Sequence, residues 1–204
     1  VTGVQTCALP IYKTITCAYP SHTPLEALGL LHRAHGFSPD DIVAIDMGMS
    51  HLSVEHVGKM VEPKDITDAH YSLAFSMAIR LLRGGNGLFD YCEEDLADPR
   101  FLAIARKVKI HVDALCEEER GTINARSGVV TVTLRDGRRL TQKVTYAKGH
   151  PMNPLTDDEM TAKFRSIVVP TLGEARTEEL VARVWGIEDL SDSGDLIRLT
   201  FRPR

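Results

Sequence analysis

The chain has 204 residues, 43% of them hydrophobic, with 24 Lys and Arg against 28 Asp and Glu for a formal net charge of −4. That is enough apolar material for the core of one moderate domain or one and a half, without the basic face that a nucleic-acid partner requires. The longest apolar stretches fall far short of the roughly 20 residues of a membrane helix, so no membrane partner is expected either.

The first eleven residues, VTGVQTCALPI, carry no charge. They lack the positive start, continuous apolar core and small-residue cleavage site of a secretory signal, and Gly3, Gln5, Thr6 and Pro10 break any strand alternation. Back-translated, the segment resembles a sequencing-library adapter. Residues 1–11 are therefore set aside as non-native, and the natural frame is expected to be cut near Tyr12. Cys7 belongs to this segment. Cys17, Cys92 and Cys116 lie far apart, form no CxxC or metal-ligand spacing, and suit a reducing, cytoplasmic compartment.

Thr23-Pro24 predicts an N-cap and first helical turn, with Leu25, Leu28, Leu31 and Ala34 at helical spacing until Gly36. After a Ser38–Asp41 turn, Ile42, Val43, Ile45 and Met47 predict a strand at 42–48. Residues 49–66 show no assignable pattern. Thr67 or Asp68 is expected to cap a longer helix, with Tyr71, Phe75, Ala78, Leu81 and Leu82 on one stripe before Gly84-Gly85. The Gly84-Gly85-Asn86-Gly87 run follows that helix, the wrong order for a phosphate cradle, and reads as a stop and turn. Asp98-Pro99 opens a helix through Ala105, and Val108, Ile110 and Val112 predict a strand. Residues 129–146 hold two β-branched runs joined by Asp136-Gly137, a hairpin pattern that suits a type I′ turn. Thr156–Glu159 is a capping box, and helical patterns run to about Pro170, from Leu172 to Trp185, and near the end.

The fold class is thus α+β: residues 12–150 form a small α+β domain with a hairpin-containing sheet, and 151–204 a helical tail with too few faces to bury itself. No phosphate loop, nucleophile elbow, HExxH or paired-carboxylate motif occurs. His51 and His56 are five apart in the unassigned segment, without ligand geometry. The informative window is Lys13-Thr-Ile-Thr-Cys-Ala-Tyr-Pro-Ser-His22-Thr-Pro-Leu. There a cationic Lys and a His that exchanges protons near neutral pH bracket an irregular segment ending at a helix start, which suits an anionic carboxylate. A solvated loop lysine and a histidine packed at a cap is the alternative reading of the same residues.

That window resembles the lysine- and histidine-bearing block of the MmgE/PrpD family. Three further blocks follow in the same order: Ala69-His-Tyr-Ser-Leu-Ala-Phe75 through Gly84, Gly149-His-Pro-Met-Asn-Pro-Leu155, and Lys163-Phe-Arg165. The resemblance covers 12–204 and corresponds to the C-terminal part of the family. It implies a smaller α+β domain beside a large all-helical domain built from an N-terminal region and the C-terminal tail, with the active site between them. It further implies a cofactor-independent lyase, without metal, acting on a small di- or tricarboxylate such as 2-methylcitrate, as a homodimer. By the resemblance, Lys13 would hold a substrate carboxylate, and His22 would orient it or relay a proton. Two positions depart from the family: His70 stands where Lys or Arg is frequent, and Phe75 where the decarboxylases carry a functional tyrosine. A phenyl ring donates neither hydrogen bond nor proton, which points to a dehydratase, with an epimerase or a non-catalytic binding module as alternatives.

Overall fold

A computed structural model describes residues 11–201; apart from Ile11, the adapter-like segment lies outside the described residues. The described chain divides into two compact units, one running to Pro154 and the other starting at Leu155.

In the first unit, helix α1 (His22–His35) ends on Gly36, as its spacing predicts. Its start differs from expectation: Thr23 lies inside the first turn, and its hydroxyl donates to the Arg126 carbonyl at 2.5 Å instead of capping. Strand β1 (Ile42–Met49) follows a turn capped by Ser38. The unassigned segment contains α2 (His51–Val57). The expected long helix is two helices, α3 (Ile66–Tyr71), capped by the Asp65 side chain rather than Thr67 or Asp68, and α4 (Leu73–Arg83). The break is at Ser72, whose hydroxyl donates to the Met60 carbonyl at 2.8 Å and accepts from the Phe75 amide at 3.1 Å, capping α4.

Helix α5 (Pro99–Ala105), capped by Asp98, and strand β2 (Val108–Val112) follow as predicted. Helix α6 (Ala114–Thr122) has no counterpart among the expectations; its Asp113 cap precedes a Glu-rich segment with no apolar stripe. Strands β3 (Gly128–Leu134) and β4 (Arg139–Val144) form the hairpin. Its turn is not type I′, which requires positive φ at both central residues. The Gly137 amide closes onto the Leu134 carbonyl at 3.0 Å, and Gly137 alone is left-handed, with φ of 88°. This is a three-residue loop in which glycine supplies the one conformation that a Cβ disfavours.

The sheet order is β2-β1-β3-β4, with β1 parallel to β2 and antiparallel to β3, and β3 antiparallel to β4. Ile45 pairs with Val132 and Met47 with Val130, and all four are fully buried. Helix α1 packs on β3 and β4, while α4 packs on α1 and α5. Burying the apolar side chains of these elements, each stabilising by about 1.5–3 kcal/mol, fixes the platform on which the site rests.

The segment before α1 is irregular but firmly tied. Tyr12 donates its amide to the Gly149 carbonyl at 3.0 Å, Thr16 to Asn86 at 2.8 Å and Ala18 to His70 at 2.9 Å. Gly149 has φ of 90°, and a Cβ there would lie 2.0 Å from the Tyr12 carbonyl oxygen, so only glycine admits this approach.

The second unit holds α7 (Asp157–Leu172), α8 (Glu174–Trp185) and α9 (Gly194–Thr200). The Thr156/Glu159 capping box forms as predicted, and α7 continues through Pro170 for two further residues. Helix α8 packs on α7 and on α9. An apolar groove of about 330 Å³ between α7 and α8 is lined by Phe164, Ile167, Val181 and Trp185, among others. Among the described residues, no helix is long and apolar enough to cross a membrane.

Candidate functional site

The three backbone hydrogen bonds of the irregular segment place Lys13 and Tyr19 on the wall of an open cavity of about 340 Å³. Leu52, Ser53 and His56 reach the same cavity from α2, where the i, i+3 and i, i+4 spacings bring them to one face. Tyr71, the last residue of α3, and Arg126, just ahead of β3, complete the polar lining. Among the described residues, this lining contains two cationic side chains, an imidazole, two phenols and a serine hydroxyl, and no carboxylate. In a chain of net charge −4, such a concentration of hydrogen-bond donors selects for anions.

Lys13 is exposed and donates from Nζ to the Cys17 carbonyl at 3.2 Å, leaving two ammonium protons for a ligand. His22 lies elsewhere than the sequence window suggests. It is 1% exposed, its Nε2 has no hydrogen-bond partner, and its ring packs 5.2 Å from that of Tyr19 rather than lining the cavity. Burial pushes its imidazole down to about 4; a hydrogen bond to the Cys17 carbonyl pulls the other way, and the Lys13 ammonium adds to the depression. Lys13 and His22 therefore meet through one carbonyl, with His22 a neutral ring behind the wall.

Tyr19 is half-buried. Burial raises its phenol above the usual range, opposed by Arg126, whose guanidinium carbon lies 5.1 Å over the ring. The rings of His56 and Tyr71 are 5.6 Å apart, and both side chains are exposed to the cavity. An imidazole that shares a cavity with hydroxyl donors and two cations can hold a carboxylate and move a proton on the carbon next to it.

Other positions singled out by sequence have structural surroundings. Phe75 is 1% exposed and stacks on Phe101 at 5.9 Å. The His70 ring meets Tyr91 edge-on at 4.5 Å, and desolvation lowers its imidazole. Beneath the irregular segment, Tyr91 donates to Ser76 Oγ at 2.9 Å, and the Asn86 amide donates to the Ser76 carbonyl at 2.8 Å and to Tyr91 Oη at 3.3 Å. Cys17, buried against this cluster, has its thiol pushed up to about 12 by desolvation. The Asn153 amide donates to the Tyr146 carbonyl at 2.9 Å, holding the turn after β4. No cluster of three or more His, Cys, Asp or Glu among the described residues could hold a metal ion.

The sequence window contains Lys13 but not Arg126, His56 or Tyr71, which line the same cavity. No local pattern marks them: residues 13, 56, 71 and 126 lie on four separate stretches of chain, and Lys13 joins the others through the docking of its segment on His70, Asn86 and Gly149.

A family model described as the MmgE/PrpD C-terminal domain matches residues 16–187, so that Lys13 lies just ahead of the matched range and His22 within it. Among curated proteins, the chain is similar to cis-aconitate decarboxylase of Aspergillus terreus, 25% identical over 199 residues that cover 92% of this chain and 39% of that protein. It is similar to the mitochondrial 2-methylcitrate dehydratase of Yarrowia lipolytica, 27% identical over 138 residues covering 65% of this chain and 26% of that protein. Human cis-aconitate decarboxylase is 26% identical over 136 residues, 67% of this chain and 28% of that protein. The chain thus spans well under half the length of the curated relatives it matches.

Proposed function

The chain belongs to the MmgE/PrpD family, and from that membership we propose that it forms the carboxylate-binding part of a cofactor-independent lyase that dehydrates a small di- or tricarboxylate such as 2-methylcitrate. The observation that carries this reading is the acid-free cavity lined by Lys13, Arg126, His56 and two tyrosines. In the complete enzyme, an all-helical domain closes over this cavity and supplies further acid and base groups, and the enzyme acts as a cytoplasmic homodimer. The free thiols of Cys17, Cys92 and Cys116 suit that reducing compartment.

In this mechanism, Lys13 holds the carboxylate whose neighbouring C–H is broken. A base takes that proton, the electron pair forms the new C=C bond, and hydroxide leaves from the adjacent carbon as water after receiving a proton from an acid. Charge that builds on the carboxylate in the transition state faces the Lys13 ammonium, and a cation at that place lowers the barrier. His56 is the proton-transfer group on this chain's side of the cavity. His22 acts as a positioning residue through Tyr19 and the Cys17 carbonyl that it shares with Lys13.

The names of the relatives divide between decarboxylation and dehydration, and identities of 25% and 27% do not separate the two. Phe75 supports dehydration, since its ring is locked in the core against Phe101 and offers no proton. The test is to incubate the full-length protein with 2-methylcitrate and with cis-aconitate, following alkene absorbance and CO2 release separately. Alkene formation from 2-methylcitrate, reduced at least about 100-fold in Lys13→Ala, is expected. Release of CO2 from cis-aconitate would replace dehydration by decarboxylation, and turnover unchanged in Lys13→Ala would remove Lys13 from the site.

A further inference from the structure

Arg126 differs from most arginines of the first unit in its surroundings. Arg83 meets Asp95 at 2.7 Å, Arg100 meets Asp98 at 2.6 Å and Arg106 meets Glu62 at 2.8 Å. Among the described residues, the Arg126 side chain has neither a carboxylate partner nor a hydrogen bond; its contact is the face of Tyr19, 5.1 Å away. A guanidinium lying over a ring keeps its N–H edges available, and those edges match a carboxylate two bonds at a time. Its backbone is fixed independently, because the Thr23 hydroxyl in α1 grips the Arg126 carbonyl at 2.5 Å. Its partner cation, Lys13, is a single charge on a flexible stem, carried by a segment tied to residues 70, 86 and 149. The two cations thus stand on separately anchored parts of one cavity wall.

We infer that Arg126 is the specificity-determining residue of the cavity: it takes the second, non-reacting carboxylate of the substrate through its guanidinium fork, while Lys13 holds the reacting one. This rests on the reading of the cavity as a carboxylate site and assigns the preference for two or more carboxylates over one to Arg126. A monocarboxylate meets Lys13 alone and leaves Arg126 unpaired. A dicarboxylate satisfies both, and its carbon chain is held at two points.

The test titrates the 204-residue chain with tricarballylate, which carries three carboxylates and no leaving group, and with butyrate, which carries one, observing backbone amide signals by NMR. Arg126→Ala is expected to weaken tricarballylate by about 10- to 100-fold, the worth of a charge-assisted pair, and to leave butyrate within about twofold. Lys13→Ala weakens both probes. Arg126→Lys retains the charge over Tyr19 but not the fork, and falls between wild type and Arg126→Ala for tricarballylate only. A variant spectrum that keeps its dispersion shows that the fold survives, and Arg126→Lys carries the same prediction should the alanine variant lose it. Equal weakening of both probes by Arg126→Ala and Arg126→Lys, or none of either, overturns the inference while the cavity remains a carboxylate site. Absence of binding of either probe to the wild-type chain overturns the reading of the cavity, and the inference with it.

Discussion

The two units of this chain make opposite use of similar local signals. Both contain well-capped helices: Asp65, Ser72, Asp98 and Asp113 cap four in the first unit, and Thr156 with Glu159 forms a reciprocal box in the second. Only the first converts them into a closed core, with Leu25, Leu28, Ile45, Met47 and Ile79 at zero exposure. In the second, α8 contributes two buried residues, Thr177 and Leu180, and α7 and α9 contribute none. Val184, Trp185, Ile197 and Phe201 stay exposed. Capping decides where a helix starts, whereas burial decides how tightly it is held. The cavity lies on the unit with the closed core, where its side chains have fixed supports.

The largest expected effect tests that contrast in packing. Leu28→Ala, which empties a site between α1 and the sheet, should destabilise the first unit by about 2–5 kcal/mol in urea unfolding. Val181→Ala on the half-buried groove of the second unit should cost well under half of that, since less surface leaves water to begin with. Similar losses at the two positions would mean that the second unit is as well packed as the first, and the comparison would fail.

A second difference is chemical. The second unit has no histidine, whereas the first buries His22 with its imidazole pushed from 6.5 down to about 4. The folded state resists protonation that the unfolded chain accepts, so this contribution is fully present above about pH 6.5 and is lost as the pH falls toward 4. The loss attributable to His22 should be about 3 kcal/mol. Thermal melts of wild type and His22→Gln between pH 7 and pH 4 check it: the difference between the two proteins should shift in favour of the variant as the pH falls. Parallel pH profiles would show that His22 is not held neutral.

The smallest expected effect concerns the capping box. Thr156→Ala removes the acceptor for the Glu159 amide, which lies 3.2 Å away, and should cost about 1 kcal/mol. That cost should appear as faster hydrogen exchange in the first turns of α7, while β1 and β3 amides are unaffected. Spread of the change into the sheet would show that the two units unfold as one.

Elements whose own residues decide them were readable in the sequence. The β-branched alternation of β3, the Asp98-Pro99 start of α5 and the capping box of α7 all formed where their residues predict. What the sequence concealed was decided by distant partners. Thr23 looks like a cap, but Arg126, over a hundred positions away, takes its hydroxyl. The helix stripe through Tyr71 and Phe75 runs unbroken in sequence, yet Ser72 reaches back to Met60 and interrupts it. Asp136-Gly137 fits more than one hairpin loop, and the loop that forms has its Arg135 amide bonded to the Asp41 carbonyl, just ahead of β1 and far away in sequence. The site follows the same rule: Lys13 lay in a readable motif, while Arg126, His56 and Tyr71 became neighbours of it only through tertiary docking.

The bond between Tyr12 and Gly149 has a consequence for how such a unit combines with others. Because the two strands of chain bounding the α+β unit touch there, the polypeptide comes in and goes out by a single doorway. A unit of this kind can be spliced into a loop of another domain without prising that loop apart. Gly149 is the hinge pin of that doorway, and the side chain it lacks is what lets the door close.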